Sequence, residues 1–220
     1  MASISLYNYF RSSTSYRVRI ALHYKNIAFE YLPINLLKGE QHSSSYRMIN
    51  PLGGVPALVH NGKVIPESFA ILEYLDEVFP EPHLLPKDPY TRARIRQFCE
   101  IINSFMHPMG NLKTLQYLEK KHGYDQTEKD HWVQHWANQG LTAIEQSLKE
   151  FSGTFCFGDK PSMADLFLVP QVLTCQRFKV DLANFPLVVR VNENCLNIAA
   201  FQKANPFIQV DTPEDLRRPT

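Results

Sequence analysis

The sequence lacks the patterns that would assign it to several large protein classes. No CxxC pair occurs among the four cysteines, which are scattered at positions 99, 156, 175 and 195, and histidine is not clustered. A dithiol redox centre and a structural metal site are therefore not expected. No apolar run approaches the roughly 18 residues that cross a membrane, and the first ten residues carry neither a basic segment nor a long apolar one. We expect no transmembrane helix and no secretory signal.

An excess of charge of either sign is also missing. Lys and Arg total 23 against 22 Asp and Glu, so the formal net charge is +1. This near balance argues against a general polyanion binder, because nucleic-acid modules concentrate positive charge on one face. With 44% hydrophobic and 20% charged residues among 220, the composition is ordinary for a globular protein of one or two domains. The scattered cysteines fit reduced thiols, so we expect a cytoplasmic protein.

The first eighty or so residues alternate between strand-like and helix-like patterns. A strand over about 4–10 leads to a helix over about 13–25, and a second strand-forming run at 29–36 is interrupted by Pro33. Asn61-Gly62 between two apolar runs predicts a two-residue hairpin turn, and a third helix begins at Ser68. The order βαβ–ββα predicts an α/β domain with a mixed four-stranded sheet.

From residue 90 onward the patterns predict helices only. Apolar residues at spacings of three and four predict helices over 92–118, 130–150 and 162–180. Ser162 and Asp165 fit a capping box, and this structural role is favoured over a catalytic role for Asp165. The polar tail DTPEDLRRPT is expected to fray. Prolines between residues 80 and 90 mark a linker, so we predict a first domain over 1–83 and an all-helical domain over 90–220.

The stretch YFRSSTSYRVRIAL is where the apolar period changes from about 2 to about 3.6. Ser12, Ser13 and Thr14 fall where the strand ends and the helix begins. A helix start carries about half a positive charge and several unpaired N–H donors, so it favours an anion. Two interpretations stay open: these hydroxyls cap the helix, or they lower the pKa of a bound thiol from its usual value of about 8.5.

Two further residue pairs bear on that choice. A cis bond at Val55-Pro56 would turn the Val55 backbone outward, leaving its N–H and C=O free for an extended peptide. Glu67-Ser68, at the start of the third helix, offers a carboxylate for an ammonium group and a hydroxyl with an N–H for a carboxylate. A helix cap with a solvated glutamate is the alternative for this pair. The three features together favour binding of the tripeptide glutathione over three unrelated caps.

The chain resembles the zeta class of glutathione transferases, and within it the maleylacetoacetate isomerases, in five motifs: SSTSYRVRIAL, NPLGGVPALV, PESFAILEYL, GDKPSMADLFLVPQV and QRFKVDL. The resemblance covers nearly the whole chain. It implies a thioredoxin-like first domain, an all-α second domain, a cytoplasmic homodimer without nucleic-acid or membrane partners, and glutathione as the cofactor. The implied reaction is the cis–trans isomerisation of 4-maleylacetoacetate to 4-fumarylacetoacetate in tyrosine and phenylalanine breakdown.

The resemblance also implies the site residues. Ser12, Ser13 and Thr14 match hydroxyls that face the sulfur, and Arg177 matches an arginine that holds a substrate carboxylate; these four are the catalytic candidates. The glutathione-binding candidates are Ser12, Ser13, Thr14, Ser15, Tyr16, Arg17, Gln41, Val55, Pro56, Glu67, Ser68, Asn111 and Thr114. A surface or interface cation is the alternative for Arg177.

Two positions depart from the class pattern. Thr14 stands where the signature has a cysteine, and Gly110 replaces a side-chain donor. The isomerase chemistry does not need a protein thiol, because hydroxyls, a helix start and an arginine can stabilise a thiolate and an enolate. The loss at Gly110 is expected to weaken glutathione binding by about 1 kcal/mol. Two alternative functions remain open: a general glutathione transferase acting on haloacids or other electrophiles, and a non-catalytic binding protein.

Overall fold

A computed structural model describes residues 4–218 and divides them into two compact units. Unit 1 comprises the residues up to His83 together with those from Ile198 onward, and unit 2 runs from Leu84 to Asn197. The prediction from sequence placed everything after residue 90 in one helical domain. By its contacts, the segment from Ile198 onward belongs instead to the sheet-containing unit. Within residues 4–218, no helix is both long enough and apolar enough to cross a membrane.

The sheet of unit 1 has four strands: β1 (Ile4–Asn8), β2 (Glu30–Pro33), β3 (Ala57–His60) and β4 (Lys63–Pro66). Their spatial order is β2-β1-β3-β4, with β1 parallel to β2, and both β1–β3 and β3–β4 antiparallel. The predicted mixed sheet is therefore confirmed. Asn61 and Gly62 have φ values of 52° and 76°, so the hairpin turn has the positive angles that a two-residue turn of this kind needs.

The described residues form ten α-helices: α1 (Ser13–Tyr24), α2 (Ser44–Ile49), α3 (Ser68–Val78), α4 (Pro89–Glu100), α5 (His107–Gly110), α6 (Leu112–His122), α7 (Gln126–Phe151), α8 (Met163–Arg177), α9 (Pro186–Leu196) and α10 (Ala199–Lys203). The helices of unit 2 are α4 to α9, in agreement with the predicted all-helical second domain. In unit 1, α1 packs against α3 and α10, and its side chains Val18, Ile20 and Leu22 are fully buried.

A π-helical turn at Ile101–Met106 interrupts the helix that the sequence predicted over 92–118. The His107 N–H donates to the Ile102 carbonyl five residues back. Pro108 explains the change, because its ring lacks an N–H and would clash with the carbonyl four residues earlier in a regular α-helix. Gly140 of α7 leaves room beside this turn, since a Cβ there would lie 2.3 Å from Met106 Cγ. The continuous helix was a wrong prediction.

The capping box at the start of α8 is confirmed. The Ser162 N–H and Oγ donate to Asp165 Oδ2 over 2.8 and 2.9 Å, and the Cys156 N–H donates to Asp165 Oδ1 over 2.8 Å. The carboxyl group is fully buried, and burial raises its pKa while these hydrogen bonds act in the opposite direction. Asp165 therefore has a structural role, and all its oxygen contacts lie inside unit 2.

The C-terminal tail does not fray over residues 211–218, contrary to the prediction. Asp211 Oδ2 accepts the Phe10 N–H over 2.9 Å, and Asp211 Oδ1 accepts the Tyr31 hydroxyl over 2.5 Å. The Arg218 N–H donates to the Phe207 carbonyl over 2.9 Å. The prediction rested on the polar composition of the tail. It was wrong because these polar groups form hydrogen bonds with backbone and side-chain groups elsewhere in unit 1. Residues 219–220 of the predicted tail lie outside the described residues.

Candidate active site

The turn between β1 and α1 is held in place by a buried arginine. Arg19 is fully buried, and its guanidinium donates to Asn8 Oδ1 over 3.0 Å and to the Tyr9 and Phe10 carbonyls over 3.3 and 2.9 Å. Its Nε donates to the Ala204 carbonyl over 3.1 Å. The sequence analysis gave Arg19 no role, although a second arginine on the buried face of an amphipathic helix is an unusual feature. Its contacts fix where the strand ends and therefore where the hydroxyls begin.

Ser12, Ser13 and Thr14 stand at the N-terminus of α1, as predicted. Ser12 is the N-cap residue, and its Oγ accepts the Ser15 N–H over 3.2 Å. The capping interpretation is therefore correct for Ser12. Capping uses only an acceptor lone pair of this hydroxyl, so its hydrogen is still available for a second bond. Ser13 is the first residue of α1, and all three side chains are half-buried.

A chain of hydroxyl groups links this helix start to the loop before β3. Ser12 Oγ lies 2.8 Å from Thr14 Oγ1, and Thr14 Oγ1 donates to the Val55 carbonyl over 2.9 Å. A carbonyl only accepts, so the single hydroxyl hydrogen of Thr14 points to Val55. Ser12 must then be the donor in the contact between the two hydroxyls.

The backbone of Val55 is partly as predicted. The Val55-Pro56 bond is cis, and the Val55 N–H has no hydrogen-bond acceptor among residues 4–218. The prediction that the carbonyl would also be free was wrong, because Thr14 donates to it. A carbonyl oxygen has two lone pairs, so one remains for another donor. Tyr46 and Asn50 steady this loop by donating to the Gly54 carbonyl over 2.6 and 2.9 Å.

Gln41 lies beside the same loop. Its Nε2 donates to the Leu36 carbonyl over 3.2 Å, whereas its buried Oε1 has no hydrogen-bond partner in the described part of the chain. The loop approaches closely because Gly53, at φ 62°, has no side chain; a Cβ there would lie 2.7 Å from the Gln41 carbonyl oxygen. A buried acceptor without a donor is costly, so Gln41 Oε1 is poised to accept from a bound group.

Glu67 and Ser68 begin α3 in an unusual conformation. Glu67 holds the N-cap position at φ 69° and α3 has no side-chain capping bond, so the alternative of a helix cap fails, while its solvated glutamate agrees with the structure. A non-glycine residue in this region costs about 1–3 kcal/mol, and such residues cluster at functional sites. The Glu67 side chain is exposed, whereas Ser68 is buried and its Oγ accepts from Arg17 Nη1 over 3.2 Å.

Three predicted residues of the α1 turn act from inside unit 1. Ser15 is buried, and its Oγ accepts the Tyr9 N–H over 3.5 Å. Tyr16 is 1% exposed and donates to the Phe201 carbonyl over 3.2 Å. Arg17 is fully buried against Ser68. These three side chains hold the turn, and their positions favour a supporting role over direct contact with a ligand.

The predicted glutathione-binding residues of unit 2 lie around the start of α6. Asn111 caps this helix, since its Oδ1 accepts the Lys113 N–H over 3.0 Å, and its amide nitrogen lies 3.2 Å from His107 Nε2. Thr114 Oγ1 donates to the Pro108 carbonyl over 2.7 Å, so its only hydroxyl hydrogen is used locally. A Cβ on Gly110 would lie at an ordinary 3.7 Å from Val133, so the backbone there leaves room for a Cβ.

Arg177 is the last residue of α8 and is exposed. Its guanidinium carbon lies 4.8 Å from the centre of the Phe178 ring, which orients the charged group without neutralising it. The exposed cationic end matches what a carboxylate-binding residue needs. It also matches the surface-cation alternative, so the position alone does not choose between them.

The arrangement in unit 1 fits an extended peptide. It offers an N–H without an acceptor at Val55, a buried acceptor without a donor at Gln41, and an exposed carboxylate at Glu67. A peptide backbone supplies the matching acceptor and donor, and a free amino group matches the carboxylate. The hydroxyls and helix start at Ser12 suit an anion, such as a thiolate, on that peptide.

Comparisons with known proteins agree with this chemistry. Residues 2–77 match the glutathione S-transferase N-terminal domain, and residues 105–199 match the C-terminal domain. The chain is 44% identical over 214 residues to a maleylacetoacetate isomerase of Rattus norvegicus, covering 96% of both chains. It is 45% identical over 210 residues to a zeta-class glutathione S-transferase of Euphorbia esula, covering 95% of this chain and 92% of the other.

Solved structures give the same result. A holo bacterial maleyl pyruvate isomerase, described as a zeta-class glutathione S-transferase, has a TM-score of 0.93 at 40% identity, with 95% and 100% of the two chains covered. A maleylacetoacetate isomerase of Anaeromyxobacter dehalogenans with glutathione in its active site has a TM-score of 0.87 at 39% identity, with 96% and 99% covered. The chain therefore belongs to the glutathione S-transferase family and, within it, to the zeta class.

Proposed function

We propose that this protein catalyses the glutathione-dependent cis–trans isomerisation of 4-maleylacetoacetate to 4-fumarylacetoacetate, in tyrosine and phenylalanine breakdown. Identity over nearly the whole length to a relative named maleylacetoacetate isomerase carries this conclusion, and a similar identity to a zeta-class glutathione S-transferase agrees with it. The geometry at Val55, Gln41 and Glu67 supports the glutathione-binding part of the proposal, because it suits an extended peptide.

Glutathione supplies the thiolate that adds to the double bond, which becomes single, rotates and is restored as trans when the thiolate leaves. The protein must keep the sulfur ionised and stabilise the negative charge that develops on the conjugated carbonyl. Ser12 and Ser13 stabilise the ionised sulfur, together with the N–H groups of the first turn of α1. Arg177 holds a carboxylate of the substrate, and its guanidinium suits two parallel bonds to that group.

The glutathione site is built from the helix start and three supporting segments. The cysteinyl backbone of glutathione bonds to Val55, the residue before Pro56. It accepts from the Val55 N–H and donates to the second lone pair of the Val55 carbonyl oxygen. Gln41 Oε1 accepts an N–H near the glycyl end. The exposed carboxylate of Glu67 pairs with the γ-glutamyl ammonium group, with Ser68 beside it. Ser15, Tyr16 and Arg17 hold the turn from the interior. Asn111 and Thr114, at the start of α6, stay glutathione-binding residues on the resemblance alone.

A mass-balance assay tests the reaction. Purified protein, 4-maleylacetoacetate and catalytic glutathione should yield 4-fumarylacetoacetate with total free glutathione unchanged. A glutathione conjugate that accumulates while no trans product forms would establish the general transferase alternative instead. Maleylpyruvate belongs in the same assay, because a structural neighbour with a TM-score of 0.93 is a maleyl pyruvate isomerase. Faster isomerisation of maleylpyruvate would reassign the substrate while leaving the reaction class intact.

The non-catalytic alternative has its own test. Millimolar glutathione should raise the thermal unfolding midpoint, because a ligand that binds only the folded state stabilises it. Stabilisation without turnover of any cis-enoyl dicarboxylate would favour a binding protein. An unchanged midpoint together with no turnover would reject the proposed cofactor.

We also propose a cytoplasmic homodimer. The resemblance to the zeta class implies the dimer, and we place its interface at the segment of unit 1 that exposes Leu37, Met48 and Leu52 by 61%, 82% and 68%. All four cysteines are buried and none forms a disulfide, as a reducing compartment favours. Light scattering after gel filtration should give twice the chain mass of 25.4 kDa, and Met48→Glu should shift the protein towards monomer.

A further inference from the structure

Thr14 occupies the position at which the class signature has a cysteine, and its hydroxyl makes two contacts at once. Thr14 Oγ1 donates to the Val55 carbonyl over 2.9 Å and lies 2.8 Å from Ser12 Oγ. With its single hydrogen on Val55, Thr14 has no hydrogen left for any other acceptor. A direct bond from the Thr14 hydroxyl to a sulfur would therefore require breaking its bond to Val55.

Ser12 stands in the opposite situation. Its Oγ already accepts the Ser15 N–H over 3.2 Å, and its hydrogen points to Thr14. When that hydrogen turns towards a thiolate, only one neutral O–H···O bond is broken. The Thr14 oxygen then has one lone pair that accepts no hydrogen bond, which costs little free energy. The bond formed in exchange is charge-assisted, and bonds of that kind are roughly twice as strong as neutral ones.

We propose that Thr14 is a positioning residue, which holds the hydroxyl hydrogen of Ser12 in the ligand-free protein and releases it to the sulfur when glutathione binds. This inference rests on the proposed function and revises the part of Thr14 within it. Of these two residues only Ser12 contacts the sulfur, and Thr14 acts through Ser12. The bond from Thr14 to Val55 stays in place throughout, so the acceptor for the Ser12 hydrogen does not move.

The two roles predict opposite effects of one substitution. Thr14→Val keeps the shape of the side chain and removes its hydroxyl. If Thr14 only competes for the Ser12 hydrogen, the valine removes the competitor, and the thiolate of bound glutathione becomes more populated. If Thr14 were itself a donor to the sulfur, the valine would make the thiolate less populated.

Thiolate absorbance in the ultraviolet, followed against pH with glutathione bound, measures this directly and does not depend on turnover. For Thr14→Val we expect the apparent pKa of the bound thiol to fall, with the thiolate-to-thiol ratio rising about twofold to tenfold, the range that one neutral hydrogen bond represents. Thr14→Ser, which keeps the hydroxyl, should match the wild-type titration. Adding Ser12→Ala to Thr14→Val should abolish the gain.

A rise in the apparent pKa with Thr14→Val, or no change, overturns the proposal. If Thr14→Val does not fold, as judged by circular dichroism, Thr14→Ala carries the same expectation and the same refuting result. Thr142→Val is the matched control, because the Thr142 hydroxyl bonds within α7 to the Asn138 carbonyl in the other unit. A wild-type protein that gives no thiolate signal with glutathione would reject the proposed function itself, which separates the two failures.

Discussion

Arg19 Nε donates to the Ala204 carbonyl over 3.1 Å, and this bond joins the first helix to a segment 185 residues further along the chain. The same guanidinium donates to Asn8 Oδ1 and to the Tyr9 and Phe10 carbonyls. One buried side chain thus fixes both the end of β1 and the docking of α10. The hydroxyls at Ser12 and Thr14 follow directly from the turn that Arg19 holds.

Replacing Arg19 by methionine should destabilise unit 1 strongly. The change removes the donor from the Phe10 and Ala204 carbonyls and from the Asn8 amide oxygen, whereas the Tyr9 carbonyl keeps the Ser12 N–H over 3.0 Å. Each unsatisfied buried group costs about 1–3 kcal/mol. We expect the free energy of unfolding in urea to fall by about 3 kcal/mol or more. Arg94→Met is the control, since Arg94 pairs with Glu150 at the surface, and its loss should cost less than about 1 kcal/mol. Equal losses would contradict the role given to Arg19.

Ser12→Ala should reduce turnover more than it reduces glutathione affinity, because the hydroxyl hydrogen matters most to the charged sulfur. The loss of the N-cap should also lower stability by about 1 kcal/mol. Ser43→Ala separates the two effects. Ser43 caps α2 through the Tyr46 N–H, so its removal should lower stability similarly while kcat stays unchanged. A wild-type kcat for Ser12→Ala would remove Ser12 from the mechanism.

Glu67→Gly should make the protein more stable and bind glutathione less tightly. Glycine adopts the φ of 69° without steric cost, so thermal unfolding should move upward by the equivalent of about 1 kcal/mol. Calorimetric titration should meanwhile show weaker binding, since the carboxylate for the ammonium group is lost. Asn61→Gly, at φ 52° in the hairpin turn, is the control and should change stability little, because asparagine tolerates this region, and leave the affinity unchanged. Unchanged affinity in Glu67→Gly would refute the ammonium assignment.

Arg177→Ala should raise KM for the dicarboxylic substrate while leaving the Kd of glutathione nearly unchanged. A lost charge-assisted pair corresponds to about 1.5–3 kcal/mol, or roughly tenfold to a hundredfold in KM. Lys179→Ala removes the same charge two residues away, where Lys179 pairs with Asp130 over 3.1 Å. Similar KM values for both variants would support the surface-cation alternative, because a general electrostatic effect would then explain the change.

Stability should decrease as the pH falls through about 6.5, in part because of His23. Burial and the nearby charges of Lys203 and Arg19 lower the pKa of this half-buried histidine. The unfolded chain therefore binds the proton more readily than the folded one, so acidification below the unfolded pKa favours unfolding. His23→Gln should flatten the dependence of the unfolding midpoint between about pH 7.5 and 5.5. His131→Gln, at an exposed position of α7, is the control, and an unchanged slope in His23→Gln would contradict the prediction.

Local patterns were sufficient for most elements. The change of period at Tyr9–Leu22 predicted the strand and the helix, Asn61-Gly62 predicted the turn angles, and Ser162 with Asp165 predicted the capping box. Each of these depends on residues within one turn or one hairpin, where propensity and hydrogen bonding act over a few positions. The π-helical turn before Pro108 was not predicted, because one extra residue in a single turn leaves the spacing of the apolar residues nearly unchanged.

The sequence by itself determined the class of protein, the order of strands and helices, and which residue types stand at the helix start. Only the tertiary structure decided which way the hydroxyl hydrogens point, that Thr14 takes the Val55 carbonyl, and that the tail from Ile198 joins the sheet unit through Arg19 and Asp211. The physical reason is the same in each case. A polar group can be satisfied by partners that are far away along the chain, and such choices leave no period or spacing in the sequence.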